Sequence, residues 1–147
     1  MIVTKLEIDF EPLKKALKII EEEFTPTRNR NSLISENIRQ KIQGYFNQGG
    51  QAGDEGPAWQ RLSVSRIAQK KQNKNTILVE FGKLKAGFVP SSDTKFASVK
   101  NLIPYAAQHQ RGFDRTPARP MIPQKSSLMR SVEKVYLENL RRRLSQL

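Results

Sequence analysis

Few side chains in this sequence could carry out catalysis or bind a metal. There is one histidine, His109, and there is no cysteine. A nucleophile–base pair would have to use His109, yet the nearest acidic residue in the sequence is Asp114, and neither a nucleophile elbow nor a glycine-rich phosphate loop occurs. A metal site needs several His, Cys or carboxylate ligands at short spacing. The sequence therefore predicts no catalytic, cofactor or metal site and no enzyme. It favours a structural role for His109, as a hydrogen-bonding residue that holds the turn before Gly112.

Basic side chains are the abundant chemical groups. The net charge is +12, and residues 1–50 hold 8 basic and 7 acidic residues whereas residues 51–147 hold 18 and 7. Such a charge attracts nucleic acid or acidic protein surfaces. The candidates for contacting nucleic acid or facing an acidic partner form two clusters, Lys70, Lys71 and Lys74, and Arg141, Arg142 and Arg143. Because no helix-turn-helix, zinc finger or RNA-binding sheet motif accompanies them, a nucleic-acid-binding protein is the alternative function rather than the first.

The segment 105–123, which we name the arm, has the sequence YAAQHQRGFDRTPARPMIP. Pro117, Pro120 and Pro123 fix their own φ near −65° and favour extended conformations in the residues before them. Gly112 permits a positive φ. Arginines are spaced along the segment at Arg111, Arg115 and Arg119. We expect a rigid extended arm that docks onto another surface rather than one that performs chemistry.

The elements that position these residues begin with a predicted strand over residues 2–9, where apolar and polar residues alternate. Apolar residues at helical spacing predict a helix over residues 13–24 and a second helix through residues 34–46, which Gly49 and Gly50 end. Three consecutive glutamates, Glu21 to Glu23, lie at the end of the first helix. They either pair with a basic neighbour or form a solvated polar face.

The second half predicts more strands. Apolar runs favour strands at residues 76–80, 84–89 and 95–103, and a last helix begins near Ser126 or Ser127. Together these elements predict an α+β fold, with a small, mostly antiparallel sheet packed by helices, long assembly loops and a C-terminal helix. A length of 147 residues fits a single domain.

The segment 48–75 is rich in glycine and polar residues and is predicted to be mobile. Within it, Trp59 is interpreted as the anchor that pins this loop to the body, because its indole N–H needs an acceptor. An ordinary core position and an intersubunit contact remain equal alternatives for Trp59. No apolar run is long enough to span a bilayer. We therefore expect the chain to be made and to act in a cytoplasm, with no membrane partner.

Four motifs occur in a characteristic order: GPAWQRLS at residues 56–63, FGKL at 81–84, YAAQHQ-x-G at 105–112, and PARP at 117–120. In this order they resemble the phage virion morphogenesis family, the Mu-like tail-completion or head–tail joining proteins. The sequence departs from the family pattern at Met121 and Ile122, where Phe-Leu is usual, and at Glu80 and Phe81, before the glycine of the second motif.

The resemblance implies a structural virion protein that completes the tail or joins the tail to the head. It implies a homo-oligomeric ring, hexameric by expectation, at the head-proximal end of the tail, assembled in the host bacterial cytoplasm and located in the tail or neck of the virion. The implied partners are further copies of the chain, tail tube, sheath or connector proteins, and DNA passing without sequence specificity. The residues expected to shape the arm, its docking and the preceding loop are Trp59, Tyr105, His109, Gly112, Arg115, Pro117, Arg119 and Pro120.

Overall fold

Helices dominate the architecture. The computed structural model describes residues 9–51 and 56–147. The helices are α1 (Glu11–Phe24), α2 (Arg28–Gln48), α3 (Val64–Gln69), α4 (Lys83–Ala86), α5 (Ala106–Arg111) and α6 (Lys125–Leu144), and the strands are β1 (Phe88–Ser92) and β2 (Ala97–Asn101). The strands pair antiparallel, with Pro90 opposite Val99. The predicted α+β fold with a small antiparallel sheet and a C-terminal helix is confirmed.

Helix α2 lies at the centre of the fold. It begins where Thr27 accepts a hydrogen bond from the backbone N–H of Arg30, and it ends at Gly49, whose φ of 79° is left-handed. Its buried face packs against the β1–β2 hairpin and against α6. The core cluster of buried residues consists of Ile42, Tyr45, Phe46, Trp59, Leu84, Phe88, Ala106 and Met121. The predicted four-residue spacing from Ile34 to Phe46 therefore identified the inward face correctly.

Helix α1 packs against α6. The ring of Phe24 stacks on that of Tyr136, with centroids 5.6 Å apart. The carboxylate of Glu23 is buried between Arg30, at 3.1 Å, and Arg143, at 3.4 Å, and Glu22 accepts from Arg143 at 2.6 Å. For Glu22 and Glu23 the structure thus selects pairing with basic neighbours over a solvated face.

Two of the predicted strands are wrong. Residues 76–80 form turns, with Leu78 at a φ of +58°. Residues 84–89 begin as α4 and become β1 only at Phe88. The strand predicted at 95–103 is confirmed as β2, and the strand predicted at residues 2–9 lies outside the described residues except for Asp9, which is not in a strand.

The arm is not extended throughout. Its first third is the helix α5, after which Phe113 and Thr116 close a tight turn. Residues 117–123, which we name the distal arm, belong to no helix or strand. Of the segment 48–75 predicted to be mobile, residues 52–55 lie outside the described residues. The remainder contains α3 and three buried side chains, Gln51, Trp59 and Lys70, and its mobility stays a prediction.

Candidate functional site

A cavity of about 610 Å³ lies between the arm, the segment around Gln60 to Arg66 and the loop from Lys70 to Leu84. Five of the eight residues predicted to shape the arm and its docking line this cavity, namely Tyr105, His109, Arg115, Pro117 and Arg119. The fold therefore brings residues from separate motifs to one place. We name this space the arm cavity.

Lys70 lies in one wall of the arm cavity and holds the backbone of that wall in place. Its side chain is only 4% exposed, and its ammonium donates to the backbone carbonyls of Asn73, Thr76 and Val79 at 2.6, 2.6 and 2.9 Å. Burial lowers the pKa of Lys70, and the negative charge of Glu80 offsets part of this effect. Lys70 was predicted to face DNA or a partner, and this is corrected, because its charge is used to fold the loop.

Arg119 and His109 form the opposite wall. The arm is held there because the backbone N–H of Arg119 donates to the carbonyl of His109 at 2.7 Å. The guanidinium of Arg119 donates from Nε and Nη2 to the carbonyl of Gln60, both at 3.3 Å. Burial lowers the pKa of Arg119. The arginine expected to dock on another surface is thus 6% exposed and lies under its own chain.

The imidazole of His109 meets the ring of Tyr105 edge-on, with centroids 5.9 Å apart. Its Nδ1 is buried without a hydrogen-bond partner in the described residues. Burial first, and then the positive charges of Arg119 and Arg66, hold the pKa of His109 below its ordinary value of 6.5. The main-chain carbonyl of His109, rather than the predicted imidazole, makes the hydrogen bond that holds the arm in place.

The distal arm is held in place by side chains of the loop and of α5. Trp59 donates from Nε1 to the carbonyl of Pro120 at 2.8 Å, and Gln51 donates to the carbonyl of Ile122 at 2.9 Å. Gln110 accepts from the backbone N–H of Met121 at 2.7 Å. Trp59 is 4% exposed and packs edge-on against Phe46, so the structure places it in the core.

Two of these residues, Gln51 and Gln110, were missed as contributors. The sequence did contain a signal for Gln110, since it belongs to the YAAQHQ motif. Gln51 stands in a run of glycine and polar residues, and nothing in that run distinguishes a buried amide from a solvated one. The positive φ predicted for Gly112 is confirmed at 78°.

The basic clusters are divided between interior and surface. Arg143 pairs with Glu22 and Glu23 while its side chain stays 34% exposed, so its predicted role toward DNA or a partner stays a prediction. The exposed members are Lys71, Lys74, Arg141 and Arg142, and none of them lines the arm cavity. Around the cavity itself, Arg61, Arg66, Lys83 and Arg115 add positive charge. The arrangement suits the binding of an anionic group.

Comparison with known proteins gives one match. A family model described as the phage virion morphogenesis family matches residues 8–144. Neither the curated proteins nor the solved structures yield a match. Among the described residues, no helix combines the length and the apolar character needed to cross a membrane.

Proposed function

The chain belongs to the phage virion morphogenesis family, and on this basis we propose that it is a ring subunit that completes the phage tail or joins the tail to the head. Membership assigns the chain to the structure and assembly of phage particles. The proposal adds the position, at the head-proximal end of the tail, and the oligomeric form, a closed homo-oligomer for which we expect six copies.

A stripe of apolar side chains on α1 supports the oligomer. Phe10, Leu13, Leu17 and Phe24 are each more than half exposed. Their separations of three, four and seven residues put them on one side of the helix, which we name the α1 stripe. Contiguous exposed apolar surface commonly marks a protein–protein interface. This stripe is the observation that carries the proposal.

Further exposed apolar side chains lie elsewhere on the molecule, among them Phe96 beside the β1–β2 turn and Leu102 after β2. A contact between the α1 stripe of one copy and a different patch on the next copy would be heterologous. Heterologous contacts generate a ring when the rotation between copies closes. Exposed apolar side chains outside the α1 stripe therefore offer the chain the second, different contact surface that a ring needs.

The exposed cations fit the lumen of such a ring. Lys71, Lys74, Arg141 and Arg142 are the outward-facing members of the two basic clusters. In this proposal at least one of these pairs faces a channel through which DNA passes, where phosphate contacts give no sequence preference. A ring structure with all four side chains on the outer wall would contradict this assignment.

The function is tested by complementation in the phage or prophage that encodes the chain. After deletion of its gene we expect electron microscopy to show tails that lack a finished head-proximal end and do not join heads. Supply of the wild-type chain restores complete particles, whereas the variant Leu13→Asp/Leu17→Asp does not, because two carboxylates cannot be buried without partners at an apolar contact.

The matched control is Val64→Asp, which adds a carboxylate at an apolar side chain that is 85% exposed on α3. We expect this variant to restore particles fully. Thermal unfolding by circular dichroism checks that both variants fold. Full restoration by a correctly folded Leu13→Asp/Leu17→Asp chain would refute the α1 stripe as an assembly surface.

A further inference from the structure

Arg119 carries a buried charge that the described residues do not neutralise. Within residues 9–51 and 56–147 its guanidinium is hydrogen-bonded only to the carbonyl of Gln60, and no carboxylate there forms an ion pair with it. A buried cation is costly unless it is paired and hydrogen-bonded. Since Arg119 lines the arm cavity, an anion that enters the cavity could supply the missing counter-charge.

Other residues of the cavity wall add positive charge that also lacks a counter-charge. Arg61, Arg66, Lys83 and Arg115 are further cations among its described lining residues, whereas Glu80 is the single acid there. Glu80 is already engaged, because it accepts from Arg66 at 3.2 Å and from the backbone N–H of Lys71 at 3.0 Å. The positive potential in the cavity is therefore largely uncompensated.

The lining also offers apolar surface at Leu78 and Pro117, which are both partly exposed. A volume of about 610 Å³ lies within the range of sites that enclose a small ligand or a few side chains. We propose that the arm cavity is the docking site for an acidic peptide segment of a neighbouring protein in the phage particle, with a carboxylate against Arg119 and an apolar side chain against Leu78 and Pro117.

Duplex DNA fits this cavity less well than a peptide does. The phosphates of a duplex lie on the outside of a wide cylinder, so they reach cations on an open surface, whereas the side chain of Arg119 is 6% exposed. The exposed clusters at Lys71 and Arg141 suit phosphates better. The proposal rests on the proposed function only for the statement that the segment belongs to a neighbour in the particle.

His109 provides a reporter inside the cavity, because it is the only histidine of the chain. The probe is a capped octapeptide of Glu, Asp and Leu, and its control is the same peptide with an amide in place of each carboxylate. In nuclear magnetic resonance titrations of the free protein, the imidazole should titrate with a pKa below 6.5. Saturation with the acidic peptide should raise this pKa, because a nearby carboxylate stabilises the imidazolium, and the amide peptide should leave it unchanged.

The affinity is tested with charge reversals that leave the buried residues intact. Lys83→Glu/Arg115→Glu replaces two exposed cations of the cavity rim, and we expect about tenfold weaker binding of the acidic peptide. Lys95→Glu/Lys100→Glu makes the same change in net charge at exposed positions that do not line the cavity. This control should change the affinity less than about twofold.

Three results would overturn the proposal: no binding of the acidic peptide, binding that leaves the pKa of His109 unmoved, or an equal effect of the amide peptide or of a short DNA duplex. The mass of the oligomer, measured on the same preparations, separates this result from the proposed function. Rings without peptide binding would refute the docking site alone, and peptide binding by a permanent monomer would refute the ring alone.

Discussion

At the scale of single residues, the ammonium group of Lys70 determines the course of the loop that follows it. Three backbone carbonyls, of Asn73, Thr76 and Val79, converge on this one group. A strand over residues 76–80 would direct successive carbonyls to opposite sides and could not bring these oxygens together. The apolar composition of that segment favoured a strand, and the charged residue that prevents one lies six residues earlier.

Replacement of Lys70 by alanine should therefore destabilise the fold. The variant Lys70→Ala leaves three carbonyls without their donor, and we expect a loss of about 2–3 kcal/mol in the free energy of unfolding. This corresponds to a fall of about 5–10 °C in Tm by calorimetry. The control, Lys71→Ala, removes an adjacent exposed lysine and should change Tm by less than about 2 °C. An unchanged Tm for Lys70→Ala would show that the loop does not depend on this ammonium.

At the scale of elements, the arm shows which structural features sequence patterns can predict and which they cannot. The prolines correctly indicated that residues 117–123 do not form a helix, because proline restricts its own φ and the preceding residue. They could not indicate that this segment is hydrogen-bonded to Trp59, Gln51 and Gln110. Those contacts depend on the tertiary fold, which brings the partners together from separate parts of the sequence. Helix α2 was predicted well because its apolar spacing is local.

The turn between α5 and the distal arm depends on Gly112. Its φ of 78° and ψ of 154° belong to a region that side chains disfavour, and an added Cβ would lie 2.9 Å from the backbone nitrogen of Ala118. We expect Gly112→Ala to lower the free energy of unfolding by about 2–3 kcal/mol.

Gly44 is the matched control for this substitution, since it lies within α2 and an added Cβ would meet no atom within 4 Å. Gly44→Ala should stabilise the protein by up to about 1 kcal/mol, because alanine favours the helix. Chemical denaturation of both variants provides the comparison. Equal stability of the two would mean that the turn at Gly112 tolerates a side chain.

At the scale of the whole molecule, the chain has a small core and a large exposed apolar surface. Its buried hydrophobic residues centre on α2, the hairpin and the arm, whereas much of α1 faces solvent with Leu13 and Leu17. A hydrophobic content of 37% is typical of a thin core or of segments that pack against neighbours, and the described residues contain features that fit both. Burial of the α1 stripe between copies would add the apolar area that the single chain lacks.

The most direct test of this account is the mass of the purified protein, measured by native mass spectrometry over a range of concentrations, alone and with the tail tube subunit. We predict one discrete closed oligomer of the 16.8 kDa chain, with six copies expected. The variant Leu13→Asp/Leu17→Asp should not form this oligomer. A mass of 16.8 kDa at every concentration, with and without the tube subunit, would contradict the account.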